Sequence, residues 1–441
     1  MNRTVTVPAS KIAVLDEVDV VVCGGGPSGF VAAIAAARQG ARTLLIEQYG
    51  FLGGMATAAL VGPIVKFNWQ GRRIVGGIPW EFVETLAKHD GAIIDWPSGA
   101  VPFDVEVYKR IAAKMVENAG VSLLLHTRVT DCLLNRPGKV DYVVVENASG
   151  RHAVKTKYVI DCTGIGAVVV KAGLPWRLRK KAQNQLQPMS LLFRLGGVDT
   201  DHLENTQMKE EGVKYFNRRL RTAFENSELG RKMLFGGPWL IHGSTIRRGE
   251  VTVNMTRYPG SGADVKDLTA AELRLREDIA RIVPLLRQLL PELKQSYLID
   301  TATQVGIRET RSITALYNMT VDDILQPKPF PDTVAKGAHP IDVHQYADSG
   351  QEVRFISKDY NIPYRALAPR GSQNVLVGGG SVGATAEAFA SIRVQAQCMA
   401  LGEAAGTAVA LCLEQGGCAV HEPAGAAVRQ RLHEQGAIVD L

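Results

Sequence analysis

Residues 18–47 hold a glycine-rich turn inside its complete structural context, and this stretch restricts the fold of the 441-residue chain most tightly. Val18-Asp19-Val20-Val21-Val22 reads as a short buried strand, with Gly24-Gly25-Gly26-Pro27-Ser28-Gly29 directly behind it. An alanine-rich helical run, Phe30 to Gln39, comes next, then Gly40 as a stop and a second strand, Thr43 to Ile46. Glu47 ends that strand, 18 residues after Gly29. The glycines have separate tasks. Gly24 allows the tight turn, Gly26 lets backbone amides approach a pyrophosphate, and Gly29 lets helix and strand pack closely. The helix N-terminus presents unpaired amides and a partial positive charge, and Glu47 can accept from ribose hydroxyls. The segment predicts dinucleotide binding.

The turn alone does not separate FAD from NAD, because both use it. Two later features favour FAD. Tyr158 to Gly164 reads as an apolar strand ending in a small-residue turn. Asn374 to Gly380 is a second such strand, followed by one long small-residue helix from Ala384 to Ala410. A long cofactor gripped by both ends of a chain suits this arrangement.

The resemblance that follows covers nearly the whole chain. The sequence resembles the FAD-dependent oxidoreductase family with a glutathione-reductase-like FAD fold, distantly similar to fumarate reductase flavoproteins. It rests on Gly24–Gly29, Glu47–Thr57, Asp161–Gly164, Gly306–Arg311, Ile362–Arg365 and Ser391–Arg393 through Gly406. The resemblance implies FAD held by Gly24, Gly26, Pro27, Ser28, Gly29, Glu47, Gln48, Gly53, Gly54, Met55, Ala56 and Thr57. Arg128, Val129, Thr163, Gly164, Gly379, Gly380 and Ala384 complete the expected cofactor set. The chain departs from the family pattern at Ile165–Ala167, at Gly380 where relatives often carry arginine, and at Ala386 where they often carry histidine. The family hosts several reactions, so the resemblance implies no single one.

Composition narrows the class. Apolar residues make up 46% and charged residues 21%, ordinary for a globular enzyme. A net charge of +6 is too mild and too dispersed for a nucleic-acid partner. The local run Arg177-Leu178-Arg179-Lys180-Lys181 reads as a solvated loop, or a rim that steers anions. None of the six cysteines forms Cys-x-x-Cys, so no iron–sulfur centre or dithiol pair is expected, and no His/Cys cluster suggests a metal. Buried thiols and a dinucleotide fold suit a reducing cytoplasm. The first ten residues lack the apolar run of a secretory signal. Residues 384–413 are interrupted by Glu387, Arg393, Gln395 and Glu403, so no membrane span is expected.

The predicted fold class is α/β, a Rossmann-like FAD-binding domain of glutathione-reductase type with an inserted α+β substrate domain. Residues 1–185 form the first part of the FAD domain, 186–346 the cap, and 347–441 the C-terminal part. Within them, Asp104 caps a helix from Val105 to Gly120, a hairpin joins Val140–Asn147 to Ala153–Ile160, and a helix starts at Thr269. Residues 326–339 read as a proline-rich surface loop.

Candidate chemistry falls in three places. Arg308 and Arg311, three apart on a helical turn, would offer two guanidinium forks to a carboxylate; a structural ion pair with Glu309 is the alternative reading. Arg365 and Tyr364 join them, with Tyr364 as hydrogen-bond or proton donor. In Ala338–His344, His344 would act as general base oriented by Asp342; His339 is the lesser candidate. The loop after Gly54, through Leu60–Pro63 and Lys66–Trp69, would line a substrate pocket. Since flavin carries the redox chemistry and no second Gly-x-Gly-x-x-Gly unit is present, the expected reaction is oxidation of a small, polar, anionic molecule. Electrons would leave to oxygen or a carrier, from a chain with a homo-oligomer left open. Reduction of an activated double bond and a non-catalytic flavin sensor are the alternatives.

Overall fold

The computed structural model describes Val5 and residues 10–94, 99–179, 186–201, 210–346, 348–423 and 425–440. Its main sheet grows around the strand Gly150–Asp161. Ser122–Leu124, Thr43–Ile46, Ala13–Cys23 and Gly150–Asp161 lie side by side in that order, all parallel. The other edge of Gly150–Asp161 is divided. Its first half pairs antiparallel with Lys139–Asn147, which pairs with Arg128–Arg136, and its last three residues pair in parallel with Val375–Val377. Asn374 ties the division together: its side chain bonds the backbone of Val140 at both N and O and also Lys157 O.

The valine and leucine runs of the parallel strands are buried on both faces because helices cover both. Helix Pro27–Arg38 lies along Gln395–Glu414, and the small residues read from the sequence explain the close approach. A Cβ on Gly402 would sit 2.1 Å from Ser28 O, and one on Gly406 2.3 Å from Ala32 O. The apolar run expected as one helix is two, Ala386–Ile392 and Gln395–Glu414. Thr385 caps the first, and Val394 adopts an extended conformation that turns the chain before the second. By length and mean hydropathy Gln395–Glu414 is long and apolar enough to cross a membrane, contrary to the expectation, but most of it is buried inside the protein.

A second, antiparallel sheet runs in the order Phe235–Ile241, Val251–Thr256, Phe193–Gly196, Tyr297–Thr301. Helix Val265–Leu289 packs on it through Ala271, Leu275, Ile279, Ile282 and Leu286, and starts a turn earlier than expected because Asp264 caps it. The segment read as a proline-rich loop contains the buried strand Thr333–Gly337, paired with Tyr360–Pro363. Pairing there overrides the local turn signal. Both sheets share one continuous hydrophobic core.

Candidate functional site

At the C-terminal end of Ala13–Cys23 the chain forms the expected turn, and each glycine answers a different constraint. Gly24 has φ +99°, and a Cβ there would meet Cys162 O at 2.4 Å. A Cβ on Gly29 would lie 1.7 Å from Gly24 O. Gly26 is different. Its added Cβ would touch only Gly54 Cα, at 3.8 Å, so packing within the protein does not require glycine there. The helix that starts at Pro27 has no side-chain cap and no acidic residue in its first turn. Open space at Gly26 above uncapped amides fits a pyrophosphate.

Glu47 is buried. Its carboxylate accepts from Gly25 N–H at 2.6 Å and Tyr49 N–H at 2.9 Å, and burial raises its pKa. Thr127 N–H donates to Glu47 O, which brings Arg128 and Val129 to this end of the turn, while Gln48 is exposed. Asp161 organises the opposite wall. It accepts from Thr163 N and Oγ1 and from Val169 N, which fixes Thr163 and Gly164 beside the turn. Gly53 and Gly54 begin a short helical turn through Met55 and Ala56, closed by Thr57 Oγ1 donating to Leu52 O. Gly379 and Gly380 face the same region, since a Cβ on Gly380 would meet Gly164 Cα at 3.1 Å. The buried Ser381 hydroxyl beside them has no hydrogen-bond partner among the described residues. Ala384 departs from its expected role: it is buried, and its amide donates to Ser312 Oγ.

The loop leaving Gly54 leads to the charged region. Gln304 N–H donates to Ala58 O, Gln395 to Val61 O at 2.6 Å, and the bridge between Ser190 and Gly306 sets Arg308 beside them. Arg308 Nη1 donates to Pro188 O and Ser190 Oγ, at 2.5 and 2.8 Å. Neither acceptor is charged. Burial, with Arg393 and Arg257 nearby, lowers its pKa to about 9, yet part of the side chain stays open to solvent. Arg257 is the neighbour that sequence reading missed; the only signal for it was a basic residue directly after a buried strand. It donates to Gly350 O and Asp348 O, and its Nη2 lies 2.8 Å from His344 Nδ1.

Five expectations are corrected here. His344 does not present a free lone pair. Nδ1 accepts from Arg257, which can only donate, so Nε2 carries the proton and points to Asp342 Oδ2 at 3.3 Å. Burial and Arg308 push its pKa down to about 3, and Asp342 is held far below the carboxylate range: hydrogen bonding from His344 and the Arg393 charge outweigh its burial. Arg311 forms no fork with Arg308, because residues 307–310 are irregular and Arg311 opens an extended strand. Its guanidinium goes to Ile165 O and over Trp176. Arg365 pairs with Asp332 at 2.9 Å, and the Tyr364 hydroxyl donates to Val420 O, so both serve packing. Arg179 belongs to no solvated loop. It is buried, bonds Gly380 O, Val382 O and Arg311 O, and stacks on Phe389. The Lys180 and Lys181 of that run lie outside the described residues. Glu309 is bonded by Gln187, through both its backbone and its side chain, rather than by Arg308 or Arg311.

A parallel sheet that ends in this turn, with an uncapped helix and two further glycine turns facing it, defines a Rossmann-like FAD-binding fold. Comparison with known proteins agrees: residues 19–432 match the family described as FAD dependent oxidoreductase. The chain belongs to that family, and it is an FAD-dependent oxidoreductase. It is 33% identical over 172 residues to a digeranylgeranylglycerophospholipid reductase of Methanocaldococcus jannaschii, covering 36% of this chain and 41% of that protein. It is 33% identical over 167 residues to a thiamine thiazole synthase of Methanococcus vannielii, 35% of this chain and 59% of that protein. The matches thus span less than two thirds of these relatives' lengths. Among solved structures, a geranylgeranyl bacteriochlorophyll reductase-like protein of Thermoplasma acidophilum is similar over 96% of this chain and 84% of that one, at 14% identity and a TM-score of 0.48.

Proposed function

We propose that this enzyme acts on a small organic anion, whose carboxylate or comparable group is held by Arg308 with Arg257 behind it. One observation carries this reading: Arg308, deep in the fold, bonds only neutral acceptors and forms no ion pair among the described residues. A packed guanidinium without a carboxylate retains donors for an incoming anion. FAD supplies hydride acceptance or donation when bound. Gly26, Pro27, Ser28 and the amides behind them would hold its pyrophosphate, Glu47 its ribose, and Gly53–Thr57 with Gly379–Gly380 its flavin end. The fold is then of glutathione-reductase type, with residues 186–346 as a cap in a reducing cytoplasm, where the six free thiols are at home.

The experiment is anaerobic. Substrate oxidation predicts flavin bleaching by hydroxy or amino acids, not by their neutral amides, and loss of bleaching in Arg308→Ala. Equal bleaching by acids and amides would overturn the anion reading. A second reading, reduction of a double bond conjugated to a carboxylate, is favoured by His344, which has no lone pair left to take a proton from a substrate. There the two arginines would polarise the carboxylate and stabilise the charge that develops on it. Reoxidation of chemically reduced protein by unsaturated acids, but not by saturated ones, supports that direction.

A further inference from the structure

Outside the arginine cluster lies a cavity of about 190 Å³, lined by Lys66, Trp69, His339, Pro340, Phe355 and other apolar atoms. At about 30 Å³ per water, it has room for roughly six waters, or one small organic molecule. Three features set it apart from a packing void. Lys66 is half-buried, and burial lowers its pKa. It forms no ion pair among the described residues, and its ammonium stands 5.6 Å from the centre of the Trp69 ring. Its backbone is left-handed, at φ +71°, as are those of Leu60 and Gln70 in the same loop. Such strain in bulky residues gathers where a site requires it.

His339 is the second feature. Its Nδ1 lies 2.8 Å from Pro340 O, which can only accept, so Nδ1 carries the proton. The ring is neutral, since burial lowers its pKa to about 4. Nε2 therefore keeps a free lone pair, with no partner among the described residues. Arg393 and Asp342 sit near enough to influence this ring, so the cavity adjoins the charged cluster. The third feature is Phe355, a fully formed aromatic side chain left 83% exposed at the cavity's rim.

We infer that this cavity binds an aromatic acid carrying a hydroxyl or ammonium group: its carboxylate on Lys66, its ring against Trp69 and Phe355, and its donor on His339 Nε2. A cation and an acceptor set in an apolar pocket select such a molecule over a simple acid or a neutral arene. The inference rests on one part of the proposed function, that the substrate is an organic anion, and names its class; it gives the carboxylate a different anchor, Lys66 in place of Arg308.

The test is calorimetric titration of the FAD-loaded protein with 3-phenyllactate, 3-phenylpropionate (no donor) and 3-phenyllactamide (no charge). The expected order is phenyllactate tightest, with each analogue weaker by about tenfold. Lys66→Asn removes the charge while keeping a residue that tolerates left-handed backbone. It should weaken both acids by about tenfold and leave the amide unchanged. His339→Phe should erase the difference between phenyllactate and phenylpropionate. FAD content and Tm of each variant establish that it has folded. Equal binding of acid and amide, no binding of any probe, or full acid affinity in Lys66→Asn would each overturn the assignment. Arg308→Lys, titrated in parallel, separates the two readings. Acid binding lost there but kept in Lys66→Asn rejects this cavity and retains Arg308; the reverse retains the cavity and rejects Arg308 as the anchor.

Discussion

The phosphate-binding turn and the charged cluster around Arg308 are built in opposite ways. The turn and its flanking helix and strand lie within 24 consecutive residues, and close backbone approach dictates its shape: Gly29 meets Gly24 O five positions away, and Gly24, at φ +99°, meets Cys162 O at the end of the neighbouring strand. The cluster draws Gln187, Ser190, Arg257, Arg308, Asp342, His344 and Arg393 from separate segments, held by hydrogen bonds between residues far apart in sequence. Most of the first comes from one short segment, completed by the strand end at Cys162 beside it. The second exists only when the whole chain is folded.

That contrast can be broken most sharply at the turn. Gly29→Val places a side chain inside Gly24 O, and we expect loss of soluble folded protein; overpacking costs of several kcal/mol are the range for such a clash. Gly26→Ala should behave differently, keeping Tm within a few degrees while FAD content on purification falls. If both variants fold equally well with full FAD, the division of labour among the glycines is wrong. In the cluster, Arg308→Ala should lower kcat/KM for the anionic substrate by about 10²-fold, a change typical of losing one such donor. Arg308→Lys should recover little of it, because a point charge does not reproduce the fork.

Acid stability sharpens the comparison further. An unfolded His344 takes a proton below its ordinary pKa of 6.5, whereas the folded protein resists until about 3. The unfolded state therefore binds more protons across that window, and stability falls as pH drops from 6.5 toward 3. His339, lowered to about 4, adds to the same acid limb. Urea melts at stepped pH should show a loss of a few kcal/mol, on the order of 1.4 kcal/mol for each tenfold drop in proton affinity on folding, and His344→Gln should flatten it. The smallest effect is expected at Arg365. Arg365 is half-exposed but its partner Asp332 is buried, so Arg365→Ala should cost on the order of 1–2 kcal/mol by chemical denaturation and leave turnover unchanged.

Much of the fold was legible because its signals are local. The strand–turn–helix at 13–38, the Asp104 cap and the hairpin at 139–161 all follow from nearest neighbours along the chain. Misreadings arose where distant partners decide. The proline-rich segment hides Thr333–Gly337, whose strand state depends on Tyr360–Pro363. Arg177–Lys181 looks like a solvated basic run, yet Arg179 is drawn inward by three carbonyls from residues 311, 380 and 382. It stacks on Phe389 and brings a guanidinium to Gly380 O.

The charged residues follow the same rule. Sequence spacing singled out Arg308, but a helical turn there would have aimed Arg311 beside it, and the extended backbone sends Arg311 to Ile165 instead. His344 looked like a base because histidine titrates near neutrality. Arg257, 87 positions away in sequence, occupies the nitrogen that would have taken the proton. That this chain folds around a dinucleotide can be read from its residues alone, because the glycine spacing and the period of the apolar strands are written along one short segment, even though Gly24 also answers to Cys162. Which arginines are left without a carboxylate, and which histidine keeps a lone pair, depends on the folded chain, because hydrogen-bond partners are assigned across the core and not along the chain.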